Sequence, residues 1–175
     1  MFRRRNGFSL VELVIVIVIL GVIAAIAIPR ISSGSKNAGD ASLKANLSTL
    51  RNAVDWYYSE HNNSFPAAKG DGAAAANSFA AFESQLIQYS DATGKVSDTK
   101  SSAFPFGPYV RTAIPKLPVG AKSGNNKVYI SSGSGPLAAD TSQDAGWCYN
   151  STTGQIIANC GDSEVGNEGT KYNSY

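Results

Sequence analysis

One uninterrupted apolar run dominates the start of the chain: the 21 residues from Phe8 to Ile28 contain a single charge, Glu12. At about 1.5 Å per residue, a helix of that length spans roughly 30 Å, the hydrocarbon thickness of a bilayer. Ile31 to Asp40 is Ser/Gly/Lys/Asn-rich and reads as a linker, with a break at Gly34 or Gly39 open. Leu43, Leu47, Leu50, Val54 and Tyr57 then recur at steps of 4, 3, 4 and 3, which predicts a helix with one apolar stripe, stopping at Asn62-Asn63 ahead of Pro66. Gly70 to Ala76 reads as a flexible loop without packing information. Phe79, Phe82, Leu86 and Tyr89 predict a short second helix, and Asp91 to Ser102 is polar and loop-like. Prolines at 108, 115 and 118 forbid a central strand there and predict an ordered, irregular segment. Lys127 to Ser131 alternates like a strand, and Gly146 to Asn150 with Gln155 to Asn159 brackets a hairpin connection at Ser151 to Gly154. The predicted fold class is α+β: a long N-terminal helix packed on a small antiparallel sheet, one domain on a stalk.

Charge changes the picture little. The chain has 15 Lys+Arg against 13 Asp+Glu, but Arg3, Arg4 and Arg5 stand immediately before the apolar run. If that head is removed, fifteen basic residues become twelve, the remainder is near neutral, and electrostatic capture of nucleic acid loses its support. Trp56, Trp147 and most of the tyrosines sit in core-like patterns rather than on a stacking platform. Only 16% of the residues are charged and 43% are hydrophobic, with two cysteines, which excludes collagen, a coiled-coil rod, a disulfide-dense miniprotein and wholesale disorder.

The arginine-rich N-terminus faces the cytoplasm by the positive-inside rule, so the residues after the apolar run lie across the membrane. A secretory signal peptide is the alternative, with Ala24, Ala25 and Ala27 as small residues for cleavage. Two details oppose it: the run exceeds the roughly 7 to 15 residues of a signal h-region, and an unpaired Glu12 in lipid costs about 3 kcal/mol. Gly21 and Ala25 form a small-xxx-small pair that lets helices approach closely, and Pro29, lacking a backbone N–H, predicts a kink.

Gly7-Phe8-Ser9-Leu10-Val11-Glu12-Leu13, preceded by Arg3 to Arg5 and followed by an apolar stretch ending at Pro29, resembles the class III prepilin signature of type IV pilins and type II secretion pseudopilins. The resemblance implies that a prepilin peptidase cuts between Gly7 and Phe8 and methylates the new amine of Phe8. Seven of the 175 residues are then lost, 168 remain, and Glu12 becomes the fifth. A carboxylate one helical turn from that amine can neutralise the amine of a neighbouring subunit, which makes Glu12 the assembly residue. The resemblance also joins residues 8 to 61 into one helix. It implies a leader at 1–7, a transmembrane assembly helix at 8–30, an amphipathic continuation at 31–63 and a periplasmic head at 64–175. Gly107-Pro108-Tyr109 and Ile114-Pro115 through Pro118 are similar to a stretch of the major pseudopilins.

His61 is the only histidine, so sites built on several imidazoles and most Ser-His-Asp schemes are excluded, and a solvated helix-end residue is expected. No Walker loop, nucleophile elbow or dinucleotide fingerprint occurs, and no enzyme activity is expected. Cys148 and Cys160 fall in the exported part, where a disulfide is permitted; two buried free thiols are the alternative, because the hairpin sets position 148 opposite about 157. Asp140, Asp144, Asp162, Glu164 and Glu168 scatter through the last third. The resemblance associates a late loop with Ca²⁺, which hard oxygen ligands suit, against plain solvated acids.

The resemblance thus implies a single-pass inner-membrane subunit that polymerises into an open-ended periplasmic filament of a type II secretion pseudopilus. Its partners would be further copies, minor pseudopilins, the prepilin peptidase and an assembly platform with a cytoplasmic ATPase, with no nucleic acid. A type IV pilus subunit for adhesion, motility or DNA uptake is the alternative, and a tethered binding module that never polymerises is a third.

Overall fold

The computed structural model describes residues 8–175, apart from the side chains of 27–33. The chain divides into two units, Met1–Ala38 and Gly39–Tyr175. Helix α1 runs Leu10–Glu60 and passes Gly34 and Gly39 as helix. Pro29 stands inside the helical run of α1, its side chain undescribed, and the expected cleavage residue Gly7 lies outside the described residues. Asn62 and Asn63, with φ of 53° and 57°, end the helical course, as the Asn pair predicted. Asparagine tolerates this left-handed region better than most residues.

In the second unit the predicted stripe is the centre of the core. Leu43, Leu47, Leu50, Val54 and Tyr57 are all buried, joined by Ala53. Helix α2 (Phe79–Ile87) starts where the Ser78 side chain accepts from the Ala81 N–H, a side-chain N-cap. It contributes Phe82 and Leu86 to the core. Asp71 overturns the reading of residues 70–76 as an unpinned loop: its carboxylate accepts from the N–H groups of Ala73 and Ala74 at 2.8 and 2.5 Å and from the Ser84 hydroxyl of α2. Such a side-chain-to-backbone turn costs no apolar residue and leaves no hydrophobic pattern to read.

Strands β1 (Tyr89–Ser90) and β2 (Val96–Ser97) form a small antiparallel pair. The main sheet has the order β3 (Val128–Ser131), β4 (Trp147–Asn150), β5 (Ile156–Ala158). β4 and β5 are antiparallel and Cys148 faces Ile157, as the hairpin predicted. β3 and β4 are parallel, so the sheet is mixed rather than wholly antiparallel. The segment between Ser131 and Trp147 is long enough to carry the chain back to the start of the neighbouring strand, which a tight turn cannot do. Central β4 is buried along its whole length. Its polar tips find partners in irregular segments: Trp147 Nε1 donates to the Pro115 carbonyl at 2.8 Å and the Tyr149 hydroxyl to that of Pro66 at 3.2 Å. Ile114, Leu117 and Val119 are buried without strand structure, matching the irregular segment expected from the prolines. On α1, the Arg51 guanidinium donates to the carbonyls of Ile156 and Tyr175 at 3.3 and 2.5 Å, fastening β5 and the last residues to the helix.

Candidate functional site

From Phe8 to Ile26 the first unit is apolar on every side. Phe8 and Leu10 are each 78% exposed, and Val11, Leu13 to Leu20, Val22, Ile23 and Ile26 are exposed as well. A surface helix of a soluble domain carries one apolar stripe, and an all-round apolar helix is one that other apolar matter surrounds. Apolar surface this continuous marks an interaction or membrane site. Among the described residues no helix is long and apolar enough to cross a membrane; the apolar run of the sequence continues into Ala27 and Ile28, whose side chains are outside the description.

Glu12 is the one carboxylate on this surface. Its Oε2 accepts from the Ser9 N–H at 2.9 Å, three residues back, while Leu13 N–H bonds the Ser9 carbonyl at 3.2 Å. That is one arm of a capping box: the acid satisfies a donor the helix end cannot, and its charge lies at the positive end of the helix dipole.

In the second unit the sequence-predicted residues do not converge. Asp140 turns back on its own loop, accepting from Ser142 and Gln143. Asp144 binds Lys127 at 2.7 Å and Asn125 at 3.0 Å. Asp162 binds Lys171 at 2.7 Å and Asn173 at 2.9 Å. Glu164 accepts from the N–H groups of Gly161 and Ala121 at 2.6 and 2.5 Å. Among the described residues no three His, Cys, Asp or Glu side chains gather as a metal site. The calcium expectation therefore does not fit these residues: Asp140, Asp144, Asp162 and Glu164 are each committed to an ammonium, an amide or a turn, and Glu168 lies exposed away from any such cluster among the described residues.

Cys148 and Cys160 are both buried free thiols rather than the expected disulfide. The register pairs Cys148 with Ile157, three residues short of Cys160, which lies past the end of β5. Burial pushes both thiols up, Cys160 to about 12 with Glu164 adding to the effect.

His61 is also not solvated. It is 1% exposed, Nδ1 lies 2.8 Å from the Tyr57 carbonyl and Nε2 lies 2.9 Å from Ser90 Oγ. A carbonyl only accepts, so Nδ1 carries the proton and Nε2 accepts from the serine hydroxyl. Periodicity had no means of finding this pair, since Ser90 comes from β1. Trp56 departs from the core pattern too: it is 68% exposed, beside a groove of about 490 Å³ lined by Asn52, Lys100, Phe106 and Tyr109. It falls one residue off the Leu43–Tyr57 stripe, and that offset is the sequence signal of its exposure.

Residues 2–28 match the family model of the prokaryotic N-terminal methylation motif. The chain is 36% identical over 64 residues to the type II secretion system core protein G of Aeromonas hydrophila, covering 37% of this chain and 44% of that protein. It is 44% identical over 50 residues to the type IV narrow pilus major component PilA5 of Thermus thermophilus, covering 29% and 43%. It is 40% identical over 57 residues to the type IV major pilin protein PilA of Myxococcus xanthus, covering 33% and 26%. The chain spans less than half the length of these relatives. No solved structure matches it. The exposed apolar helix thus carries the prokaryotic N-terminal methylation motif, on a chain similar over about a third of its length to type II secretion core protein G and to type IV major pilins.

Proposed function

We propose that this chain is a structural subunit of a type II secretion pseudopilus, held in the inner membrane by its N-terminal helix and polymerising through that helix into a periplasmic filament. The observation that carries the reading is the all-round apolar surface from Phe8 to Ile26, bearing one carboxylate, Glu12, within the methylation motif at 2–28. Removal of residues 1–7 leaves a methylated amine at Phe8. In a filament that amine sits in apolar surroundings, where the nearest Glu12 carboxylate of a neighbour offsets the cost of both charges and sets the axial register. The prepilin peptidase, minor pseudopilins and an assembly platform driven by a cytoplasmic ATPase are the partners this role requires.

Intact mass and N-terminal sequencing of the protein from the cell envelope test the reading. A methylated chain starting at Phe8 with the apolar segment retained is expected. A chain starting between Ala25 and Pro29 sinks it, because the assembly helix is then gone. The type IV pilins among the relatives favour a second reading, a surface pilus subunit. Deletion separates the two: loss of secreted enzymes supports the pseudopilus, and loss of long surface filaments with secretion intact supports the pilus.

A further inference from the structure

The acids between 140 and 164 converge on no metal site, yet a cation does stand among them. Lys122, part-buried on the turn after Gly120, extends its ammonium into the 140–145 loop, donating to the Gln143 carbonyl at 2.7 Å and reaching the Asp140 carbonyl at 3.4 Å. Asn159, fully buried, donates to the Asp140 and Ala145 carbonyls at 2.9 Å each. The loop's inward carbonyls are thus gathered by one ammonium and one amide. The turn that carries Lys122 is itself fixed, since Glu164 accepts from Ala121 N–H and Gly161 N–H and so joins the 120–124 turn to the end of β5. Hydrogen bonds from Ser142 and Gln143 hold Asp140 below the usual carboxylate range and those from Lys127 and Asn125 do the same for Asp144, with the charge of Lys122 adding to both and opposing the rise of the Cys148 and Cys160 thiols.

Backbone carbonyls are hard oxygen donors, the type that binds calcium. Here a lysine of the same chain already meets two of them. A divalent ion brought to these carbonyls would meet a fixed positive charge and would have to expel it, and the carboxylates that could compensate are engaged by Lys127, Lys171, Asn125 and backbone amides.

We propose that Lys122 is the resident cation of the 140–145 loop: its ammonium orders the loop that a divalent ion would otherwise have to organise, and the folded chain is indifferent to calcium.

The full chain in detergent micelles, followed by thermal unfolding and by amide hydrogen exchange, tests this. Wild type is expected to melt at the same temperature in calcium chloride and in a calcium chelator. Lys122→Met keeps the apolar stem and removes the charge; exchange at 140–146 should accelerate about tenfold, the size expected for loss of a charge-assisted hydrogen bond, with the α1 amides at Leu43 to Tyr57 unchanged. Lys122→Arg should keep the protection. A rise in wild-type melting temperature with calcium overturns the proposal, as does unchanged 140–146 exchange in Lys122→Met. The wild-type calcium comparison decides the matter even if the methionine variant does not fold.

Discussion

The His61 ring lies flat on the Tyr57 ring, with centroids 3.6 Å apart and planes 2° from parallel. His61 follows the last residue of α1 and its N–H donates to the Tyr57 carbonyl at 3.0 Å, so the helical course carried past Glu60 brings the rings together. Phe106 and Tyr109 close the other sides at 5.4 and 6.1 Å. Burial holds the imidazole below its ordinary 6.5, against the raising effects of the Tyr57 carbonyl, Glu60 and Asp91. The unfolded chain therefore takes up a proton near pH 6.5 that the folded chain does not, so stability is full above that value and falls as pH drops below it. Urea midpoints measured from pH 8 to pH 5 should decline, and His61→Gln should flatten the decline. A wild-type curve that stays level across this window contradicts the assignment.

Phe82 is completely buried and its ring is 4.5 Å from that of Tyr149, joining α2 to the central strand. Phe82→Ala empties a site between α2 and β4, and should cost about 3 to 5 kcal/mol in denaturant unfolding.

Gly154 ends the β4–β5 connection at φ +73°, and a Cβ there would lie 2.3 Å from Phe65 Cε1. Both the backbone and the space demand glycine. Gly154→Ala should cost about 1 to 3 kcal/mol by the same measurement; a neutral result would mean that Phe65 and the turn relax freely.

Both thiols are buried and raised, so almost no thiolate exists at neutral pH. A thiol reagent should find no reactive cysteine in the native chain and two after denaturation. No reactive cysteine even in denaturant would reveal a disulfide instead.

In the filament reading, Glu12→Ala leaves the amine of Phe8 without its intermolecular partner. The processed subunit should still accumulate in the membrane while filament yield drops roughly tenfold or more, equivalent to about 1.4 kcal/mol per subunit contact. Electron microscopy and shearing assays measure this, and undiminished filaments would remove Glu12 from assembly.

Local patterns carried much of this protein. The stripe from Leu43 to Tyr57, the helix from Phe79, the irregular proline segment and the facing of Cys148 and Ile157 were all legible because each depends on residues within one helix turn or one hairpin. The methylation motif was legible for a similar reason, being one contiguous word. The tertiary structure alone decided the parallel pairing of β3 with β4, the burial of His61 against Ser90, the separate commitments of the acids and the ammonium of Lys122 at the Gln143 carbonyl. His61 and Ser90, Lys127 and Asp144, and Lys122 and Gln143 lie 17 to 29 positions apart, joined by hydrogen bonds and charge pairs that leave no period in the sequence. Apolar periodicity reports which side of an element is buried; it does not say which polar group waits on the other side, because that depends on how the loops return.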